Sequence, residues 1–311
     1  MKIISLGEIL WDVFEDGEHL GGAPFNFAAH AHRLGHQVCF VSAVGEDERG
    51  RRALAKMEQL GLSPRFVQRL AGQSTGIVTV TLDSSGQPRF VIHRPAAYDR
   101  VALSPTDLAE LSSPPADWIY LGTLHQTSPK AREVLAALLR TNPRARRFYD
   151  INLRVNSYDA ALVQDLMRRS SVVKLNEEEA RTVEEFFGKP TRSIEEFCRN
   201  NAKASGWEAV CVTRGAQGCA LLMGGEYVEV EGYPVHVADT VGSGDAFAAA
   251  FLHGLSGGWP AAEVGDFANR VGALVASRPG AIPPWTLEEC RALRRPSGSA
   301  GVSPATDVRR P

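Results

Sequence analysis

Several classes of protein are excluded by features that this sequence lacks. It has no excess of basic charge, since 34 basic and 36 acidic residues give a net charge of −2, and nucleic-acid or membrane-surface binding is therefore not expected. No apolar run approaches the roughly 20 residues that cross a membrane, and the N-terminus lacks the basic start and long apolar centre of a signal peptide. The five cysteines form no C-x-x-C pair. We expect free thiols in a reducing cytosol, not disulfides or a zinc site, and hence a cytoplasmic protein.

Two common phosphate-binding motifs are also absent. A P-loop requires Gly-Lys-Ser/Thr, whereas the only Gly-Lys pair, Gly188-Lys189, is followed by Pro190. The dinucleotide fingerprint requires a third glycine, and Phe247 occupies that position after Gly242 and Gly244. The sequence is therefore not that of a P-loop enzyme, and it argues against an NAD(P) enzyme.

What the sequence does contain is a regular alternation of β-rich apolar runs and helical patterns. In a chain of 311 residues, 44% of them hydrophobic, this alternation predicts an α/β fold with a central, mostly parallel sheet flanked by helices. Helices are predicted at Ala28–Leu34 and Arg51–Leu60, where Gly35 and Gly61 supply the expected C-terminal stop. The predicted strands are Lys2–Leu6, Val38–Ala43, Trp118–Leu121, Arg147–Ile151, Val172–Leu175 and Ala209–Thr213.

One part of the sequence breaks this alternation. Gly76–Leu82 and Arg89–His93, joined by a polar turn, have the pattern of a β-hairpin, and Glu8–Leu20 contains a further strand-like element. These pieces, from about 8–22 and 76–98, predict a small sheet that projects from the main body as a lid. The alternative is an antiparallel edge on the main sheet.

The end of the chain has a different composition from the rest. Residues 296–311 are rich in Pro, Gly, Ser and Ala and have no apolar periodicity. We therefore predict one domain over residues 1–295, followed by a disordered tail.

The segment Asp239–Asp245, followed by small apolar residues, carries the strongest chemical signal. The apolar run predicts a buried helix, so Gly242, Ser243 and Gly244 lie at its N-terminus, where backbone N–H groups lack helical partners and the dipole is positive. Such an end binds phosphate oxygens and stabilises a transferring phosphoryl group. Asp245, in the first turn, is placed to accept the proton of an attacking hydroxyl. The alternative is that Asp245 only complements the dipole and the glycines only make a turn.

In these residues the chain resembles the ribokinase-like (PfkB) carbohydrate kinases, and above all their fructokinase-type members. Asp239–Asp245 is similar to the D-T-x-G-[AS]-G-D signature of that family, and Gly21–Ala28 to its G-G-x-x-x-N-x-A signature. Three shorter matches follow the family's order, at Val44–Gly50, Asn176–Glu179 and Thr213–Gly215. The resemblance covers roughly residues 1–283 and implies a ribokinase-like fold with a small β-sheet lid over the sugar.

The resemblance also implies a sugar-binding site. The segment Asp150–Arg154 closes a predicted strand, and its three polar side chains would point the same way along an extended chain. The alternatives are a turn followed by an N-terminal helix residue for the double glycine and Asn26, a surface charge for Asp12 and a structural salt bridge for Arg154. The expected sugar-binding residues are Asp12, Gly21, Gly22, Asn26, Asp150, Asn152, Arg154 and His93.

ATP and Mg²⁺ are the cofactors that the resemblance implies. Asn176 and Glu179 resemble the pair that positions Mg²⁺ through water, although their spacing also fits a helix N-cap and its capping-box partner. The Asp239 and Val241 carbonyls resemble part of a K⁺ loop, for which a purely structural loop is the alternative. Asn269 is otherwise an ordinary polar helix residue. The expected ATP-binding residues are Thr213, Arg214, Gly215, Thr240 and Asn269.

Together these observations predict ATP-dependent phosphorylation of a sugar hydroxyl, with Asp245 as the catalytic base. Fructose is the favoured substrate because GGAPFNFA and DINLR are similar to fructokinase members, ahead of 2-keto-3-deoxygluconate, ribose or a nucleoside. Only Arg154 and Arg94 are basic candidates for holding a substrate carboxylate, which favours a neutral sugar. A non-catalytic sugar sensor is the alternative from another class. The lid also suggests a homodimer, which the sequence does not decide.

Overall fold

A nine-stranded sheet forms the centre of the protein in the computed structural model, which describes residues 1–15, 17–82, 88–155 and 157–295. A second sheet of four strands accompanies it. In chain order the strands are β1 (Lys2–Leu6), β2 (Leu10–Val13), β3 (Glu18–Gly21), β4 (Gln37–Gly45), β5 (Val67–Leu70), β6 (Gly76–Leu82), β7 (Pro88–His93), β8 (Trp118–Gly122), β9 (Arg146–Asp150), β10 (Val172–Asn176), β11 (Ala209–Thr213), β12 (Cys219–Met223) and β13 (Glu226–Val230).

The main sheet is parallel over most of its width. Its strand order is β13-β12-β11-β10-β9-β8-β1-β4-β5, and every neighbouring pair from β5 to β11 is parallel. This confirms the predicted α/β fold. Strands β12 and β13 add an antiparallel edge that the predicted strands do not include. Gly224 and Gly225, with φ of 59° and 87°, form the tight turn between them.

The first two helices end within one residue of the predicted position but begin earlier than predicted, at Ala23 and Glu48. Gly35 and Gly61 follow the first two helices with φ of 87° and 79°, as expected for a C-terminal stop. In the described part of the chain no helix is long and apolar enough to span a membrane. The helices are α1 (Ala23–Arg33), α2 (Glu48–Gln59), α3 (Pro105–Leu111), α4 (Thr123–Gln126), α5 (Pro129–Thr141), α6 (Ala160–Arg169), α7 (Glu177–Phe187), α8 (Ile194–Ser205), α9 (Ser243–Ser256), α10 (Ala261–Ala276) and α11 (Leu287–Ala292).

Two hydrophobic cores lie on opposite faces of the main sheet. Ile3 and Phe40 belong to one core, whereas Ile4 and Val41 belong to the other. Successive side chains of a strand point to opposite faces, so a sheet covered on both faces needs strands that are apolar throughout. Helices α1, α9 and α10 contribute to the first core, and α5, α6 and α8 contribute to the second.

The four-stranded sheet has the order β3-β2-β6-β7. Strand β2 is antiparallel to β3 and parallel to β6, and β6 forms a hairpin with β7. Within the described ranges none of these strands pairs with the main sheet, so the predicted separate small sheet is confirmed and the edge alternative is wrong. We call this sheet the lid. The polar turn after β6 and the predicted tail at 296–311 lie outside the described residues.

Candidate active site

A cleft of about 1250 Å³ is lined by the lid on one side and by the main body on the other. Leu10 and Val78 line it from the lid, while Asn152 and Asp245 line it from the body. Asn152 follows the end of β9, at the carboxyl edge of the parallel strands. Open α/β sheets bind their ligands at this edge.

The N-terminus of α9 forms one wall of the cleft. Its N-cap, Gly242, has φ of 76°, a left-handed conformation that glycine adopts without steric strain. A Cβ atom there would lie 2.3 Å from the carbonyl oxygen of Ala281. The carboxylate of Asp239 fixes the same loop by accepting hydrogen bonds from the N–H groups of Val241 (2.9 Å) and Gly280 (3.0 Å). Only glycine fits at Gly242, because both the conformation and the close backbone contact require it.

Asp245 lies in the first turn of α9 and faces the cleft, with 9% of its surface exposed. The Nδ2 group of Asn26 donates a hydrogen bond of 2.8 Å to Asp245 Oδ2. Burial raises the pKa of Asp245 to about 6, with a further rise from the charge of Asp150 and an opposing effect of the Asn26 hydrogen bond. At neutral pH this carboxylate is mostly ionised, as a general base requires.

Most of the predicted sugar-binding residues meet in this cleft. Burial raises the pKa of Asp12 to about 6, although the positive charge of Arg154 lowers it. At Gly22, where φ is 112°, a Cβ atom would lie 2.5 Å from the carbonyl oxygen of Glu8, and at Gly21 it would lie 2.9 Å from Asp12 Oδ2. The two glycines therefore leave room for the chain at the end of β1 and for the Asp12 carboxylate. The predicted residues that line the cleft are Asp12, Gly22, Asn26, Asn152 and Arg154.

Asp150 has a different position from the one expected. It is 1% exposed and does not line the cleft. Its carboxylate binds Lys174 Nζ at 3.0 and 3.1 Å and accepts a hydrogen bond of 3.1 Å from the hydroxyl of Tyr120. Asn152 has φ of 42°, so the segment is not extended there and its side chains do not alternate as expected. Among the residues that the structure describes, the salt bridge considered for this segment is made by Asp150 and not by Arg154.

His93 also lies away from the cleft. It pairs in register with Ile77, and both residues line a smaller hollow of about 580 Å³. The next pair of the same hairpin, Val78 and Ile92, lines the cleft instead. His93 is exposed and hydrogen-bonds the hydroxyl of Thr79 at 2.7 Å. In this arrangement the imidazole is directed away from the expected sugar site.

Similarity to known proteins identifies the family. The profile of the pfkB family carbohydrate kinases matches residues 4–288. The chain belongs to this family. A fructokinase of Klebsiella pneumoniae is 30% identical to it over 300 residues, which cover 90% of this chain and 95% of that protein.

Solved structures of carbohydrate kinases have the same fold. An uncharacterized sugar kinase of Pyrococcus horikoshii in complex with ATP has a TM-score of 0.79 at 26% identity, covering 93% of this chain and 99% of that chain. A 2-dehydro-3-deoxygluconokinase of Thermotoga maritima has a TM-score of 0.82 at 19% identity, covering 94% and 98%. The protein is therefore a carbohydrate kinase with a ribokinase-like fold.

The residues predicted to bind ATP differ in their exposure and in their contacts within the protein. Thr240 is exposed and lines the cleft, and its carbonyl oxygen accepts a hydrogen bond of 2.7 Å from Ser243 Oγ. Gly215, with φ of 55°, has open space around the position of a Cβ atom. Thr213 ends strand β11 and donates a long hydrogen bond of 3.4 Å to the carbonyl oxygen of Leu175. These residues remain candidates for contact with the nucleotide.

Two other predicted ATP ligands already have partners within the protein. Arg214 forms ion pairs with Glu177 at 3.3 Å and Glu229 at 2.7 Å. Asn269 is buried, and its amide donates hydrogen bonds of 3.1 Å to the carbonyl oxygens of Val230 and Glu231. The structural role considered for Asn269 therefore accounts for its side-chain donor.

Asn176 and Glu179 form the capping box that their spacing predicts at the start of α7. Asn176 Oδ1 accepts from the N–H of Glu179 at 2.8 Å, and Glu179 Oε2 accepts from the N–H of Asn176 at 2.8 Å. Glu179 Oε1 also accepts from the N–H of Leu153 at 2.7 Å. Each oxygen has a second lone pair, so the pair fits a contact with Mg²⁺ through water. Among the described residues there is no group of three or more His, Cys, Asp or Glu side chains that could hold a metal directly.

Sequence patterns missed two charged residues near this site. Glu8 is 5% exposed and lines the cleft, and its position directly after the first strand and Gly7 was the available signal. Lys174 is 7% exposed, and its Nζ lies 3.7 Å from the position that a Cβ atom of Gly244 would take. Burial lowers the pKa of Lys174, but the charges of Asp150, Glu179 and Asp245 and the hydrogen bond to Asp150 together outweigh this, and the net shift is upward. Lys174 therefore places a positive charge next to Gly244 at the start of α9.

The cleft also contains more arginines than expected. Arg89 and Arg132 line it together with Arg94 and Arg154. Arg94 is paired with Asp99. Arg132 donates hydrogen bonds to main-chain carbonyl oxygens at 2.9 and 3.1 Å. Arg94 and Arg132 are therefore already bound to groups of the protein itself.

Proposed function

We propose that this kinase transfers the γ-phosphoryl group of ATP to a primary hydroxyl of fructose, giving fructose 6-phosphate. One observation carries the proposal. The buried carboxylate of Asp245, held by Asn26 at 2.8 Å, shares a cleft with the glycine loop at the start of α9. A base and an anion-binding site in one cleft are the groups that phosphoryl transfer to an alcohol requires.

In the proposed reaction the sugar oxygen attacks the γ-phosphorus. The bond from this phosphorus to the oxygen that bridges it to the β-phosphate breaks, and the hydroxyl proton passes to Asp245. The first N–H groups of α9, around Gly242–Gly244, stabilise the charge on the transferring group. Asn176 and Glu179 are the residues that would hold Mg²⁺ through water, and the bound ion neutralises the β- and γ-phosphate oxygens.

The lid would close over the sugar during the reaction. Phe90 lines the cleft from β7 while 53% of its surface is exposed. Closure would bury this side chain and exclude water, which would suppress hydrolysis of ATP.

The choice of fructose depends on the balance of charge in the cleft. Four carboxylate residues, Glu8, Asp12, Asp159 and Asp245, line it, and carboxylates accept hydrogen bonds from the hydroxyls of a neutral sugar. The similarity to the Klebsiella fructokinase supports the same choice. However, the four arginines in the cleft favour a second candidate, the sugar acid 2-keto-3-deoxygluconate, since arginine binds carboxylates in a bidentate manner.

A coupled assay of ADP formation across fructose, ribose, 2-keto-3-deoxygluconate and adenosine tests the proposal. We expect the highest kcat/KM with fructose. A clear preference for the sugar acid would replace the first candidate by the second, and the absence of sugar-dependent turnover would favour the non-catalytic sensor. The same assay in potassium and sodium salts tests the K⁺ loop, which we propose near the Asp239 and Val241 carbonyls.

A further inference from the structure

Glu8 has the features of a ligand-binding side chain, although no sequence motif includes it. It lines the cleft with 5% of its surface exposed. Its Oε2 atom is buried and has no hydrogen-bond partner among the described residues. Most buried polar groups in folded proteins have such a partner, so an unpartnered carboxylate oxygen in a ligand cleft requires an explanation.

Glu8 lies beside residues of the expected sugar site. Its carbonyl oxygen lies 2.5 Å from the place of a Cβ atom on Gly22, so Glu8 is packed against the double-glycine stretch. Asn26, four residues after Gly22, also lines the cleft. Its Oδ1 atom is buried and has no hydrogen-bond partner among the described residues, as is the case for Glu8 Oε2. Two unsatisfied acceptors thus flank the same part of the cleft.

The charges around Glu8 come from several parts of the chain. Burial raises the pKa of Glu8 to about 7, and the negative charge of Asp245 also raises it. A hydrogen bond from its own backbone N–H and the positive charges of Arg154 and Arg94 lower it. The negative charge of Glu8 also contributes to a raised pKa of the Tyr98 hydroxyl. With a pKa near 7, the carboxyl group can accept a hydrogen bond when it is ionised and donate one when it is protonated.

We propose that Glu8 binds a hydroxyl group of the sugar and is a further substrate-binding residue of this kinase. A sugar hydroxyl both donates and accepts hydrogen bonds, so it satisfies the unpartnered oxygen in either protonation state. The inference rests on the proposed function, because it takes the cleft to be the sugar site.

The variant Glu8→Gln tests this inference, with Glu58→Gln on the exposed surface of α2 as the matched control. Glutamine keeps the size of the side chain and removes the buried charge, so the variant is expected to fold. We expect the KM for fructose and its calorimetric Kd to rise roughly five- to tenfold, because the amide keeps a neutral hydrogen bond to the hydroxyl but loses the stronger one that a charged carboxylate makes. The KM for ATP and the kcat at saturating fructose should stay near those of the control.

A fructose KM and Kd that match those of the control would overturn the inference and assign Glu8 a purely structural role. A fall in kcat with unchanged fructose affinity would also overturn it. Calorimetry separates this failure from failure of the proposed function. If the wild type binds fructose but does not phosphorylate it, the proposed function fails, while weaker fructose binding by Glu8→Gln still supports the inference. If the wild type binds no fructose, both fail.

Discussion

Replacement of Gly242 by alanine tests whether the geometry of the loop before α9 controls turnover. The new Cβ atom would lie 2.3 Å from the carbonyl oxygen of Ala281, whereas an unstrained C···O contact is about 3.3 Å. The loop and its N–H groups would therefore have to move by about 1 Å. A displacement of about 1 Å in an active site lowers the rate by roughly 10²-fold.

The control for this variant is Gly258→Ala. Gly258 follows α9 with φ of 69° and has no atom within 4 Å of a Cβ position, so alanine there adds only backbone strain of roughly 1–2 kcal/mol. Gly242→Ala adds the same strain together with an overpacking cost of roughly 1–3 kcal/mol. Urea denaturation measures both losses of stability, and the coupled ADP assay measures kcat. If the two variants had equal turnover, the assignment of the loop as the phosphoryl-binding site would be refuted.

The other predictions concern the carboxylates around this loop. Because burial raises the pKa of Asp245 to about 6, kcat should be fully present above that pH and lost as the pH falls through it; a pH profile without this acid limb would contradict the assignment of Asp245. Asn26→Ala removes the hydrogen bond that lowers this pKa, so its acid limb should move to higher pH, and an unchanged limb would count against the contact. Lys174→Met leaves the charge of Asp150 buried without its partner, and urea denaturation should show a loss of roughly 3–5 kcal/mol, partly recovered by adding Asp150→Asn. A loss as small as that of a surface substitution would show that the pair does not stabilise the fold.

The fold was predictable where local pattern and global structure agree. Strands such as β1 and β11 have the predicted bounds because they are short apolar runs buried on both faces. The start of α1 was predicted five residues too late, at Ala28 instead of Ala23. Pro24 in the first turn was a usable helix-start signal, and the alternative of a turn followed by a helix residue agrees with the observed start of α1. Asn26 is consequently a helix residue.

The motifs of the candidate site could be predicted from the sequence. The directions of its side chains were predicted less well. Asp245, Asn26 and Arg154 come from distant segments, and the family motifs place all three in one cleft. Asp150 is directed inward while Asn152 and Arg154 line the cleft, because the left-handed backbone of Asn152 interrupts the alternation of side chains, which a period-two pattern does not indicate. The partner of Asp150, Lys174, lies opposite it in the register of β9 and β10, and this register is known only from the three-dimensional structure.

The most direct test of the account is the effect of Asp245→Asn on turnover and on ligand binding measured side by side. Asparagine has nearly the same shape but cannot accept the hydroxyl proton, so sugar-dependent kcat should fall by roughly 10²–10⁴-fold. The calorimetric affinities for fructose and for MgATP should remain near the wild-type values. A kcat close to that of the wild type would contradict the assignment of Asp245 as the catalytic base.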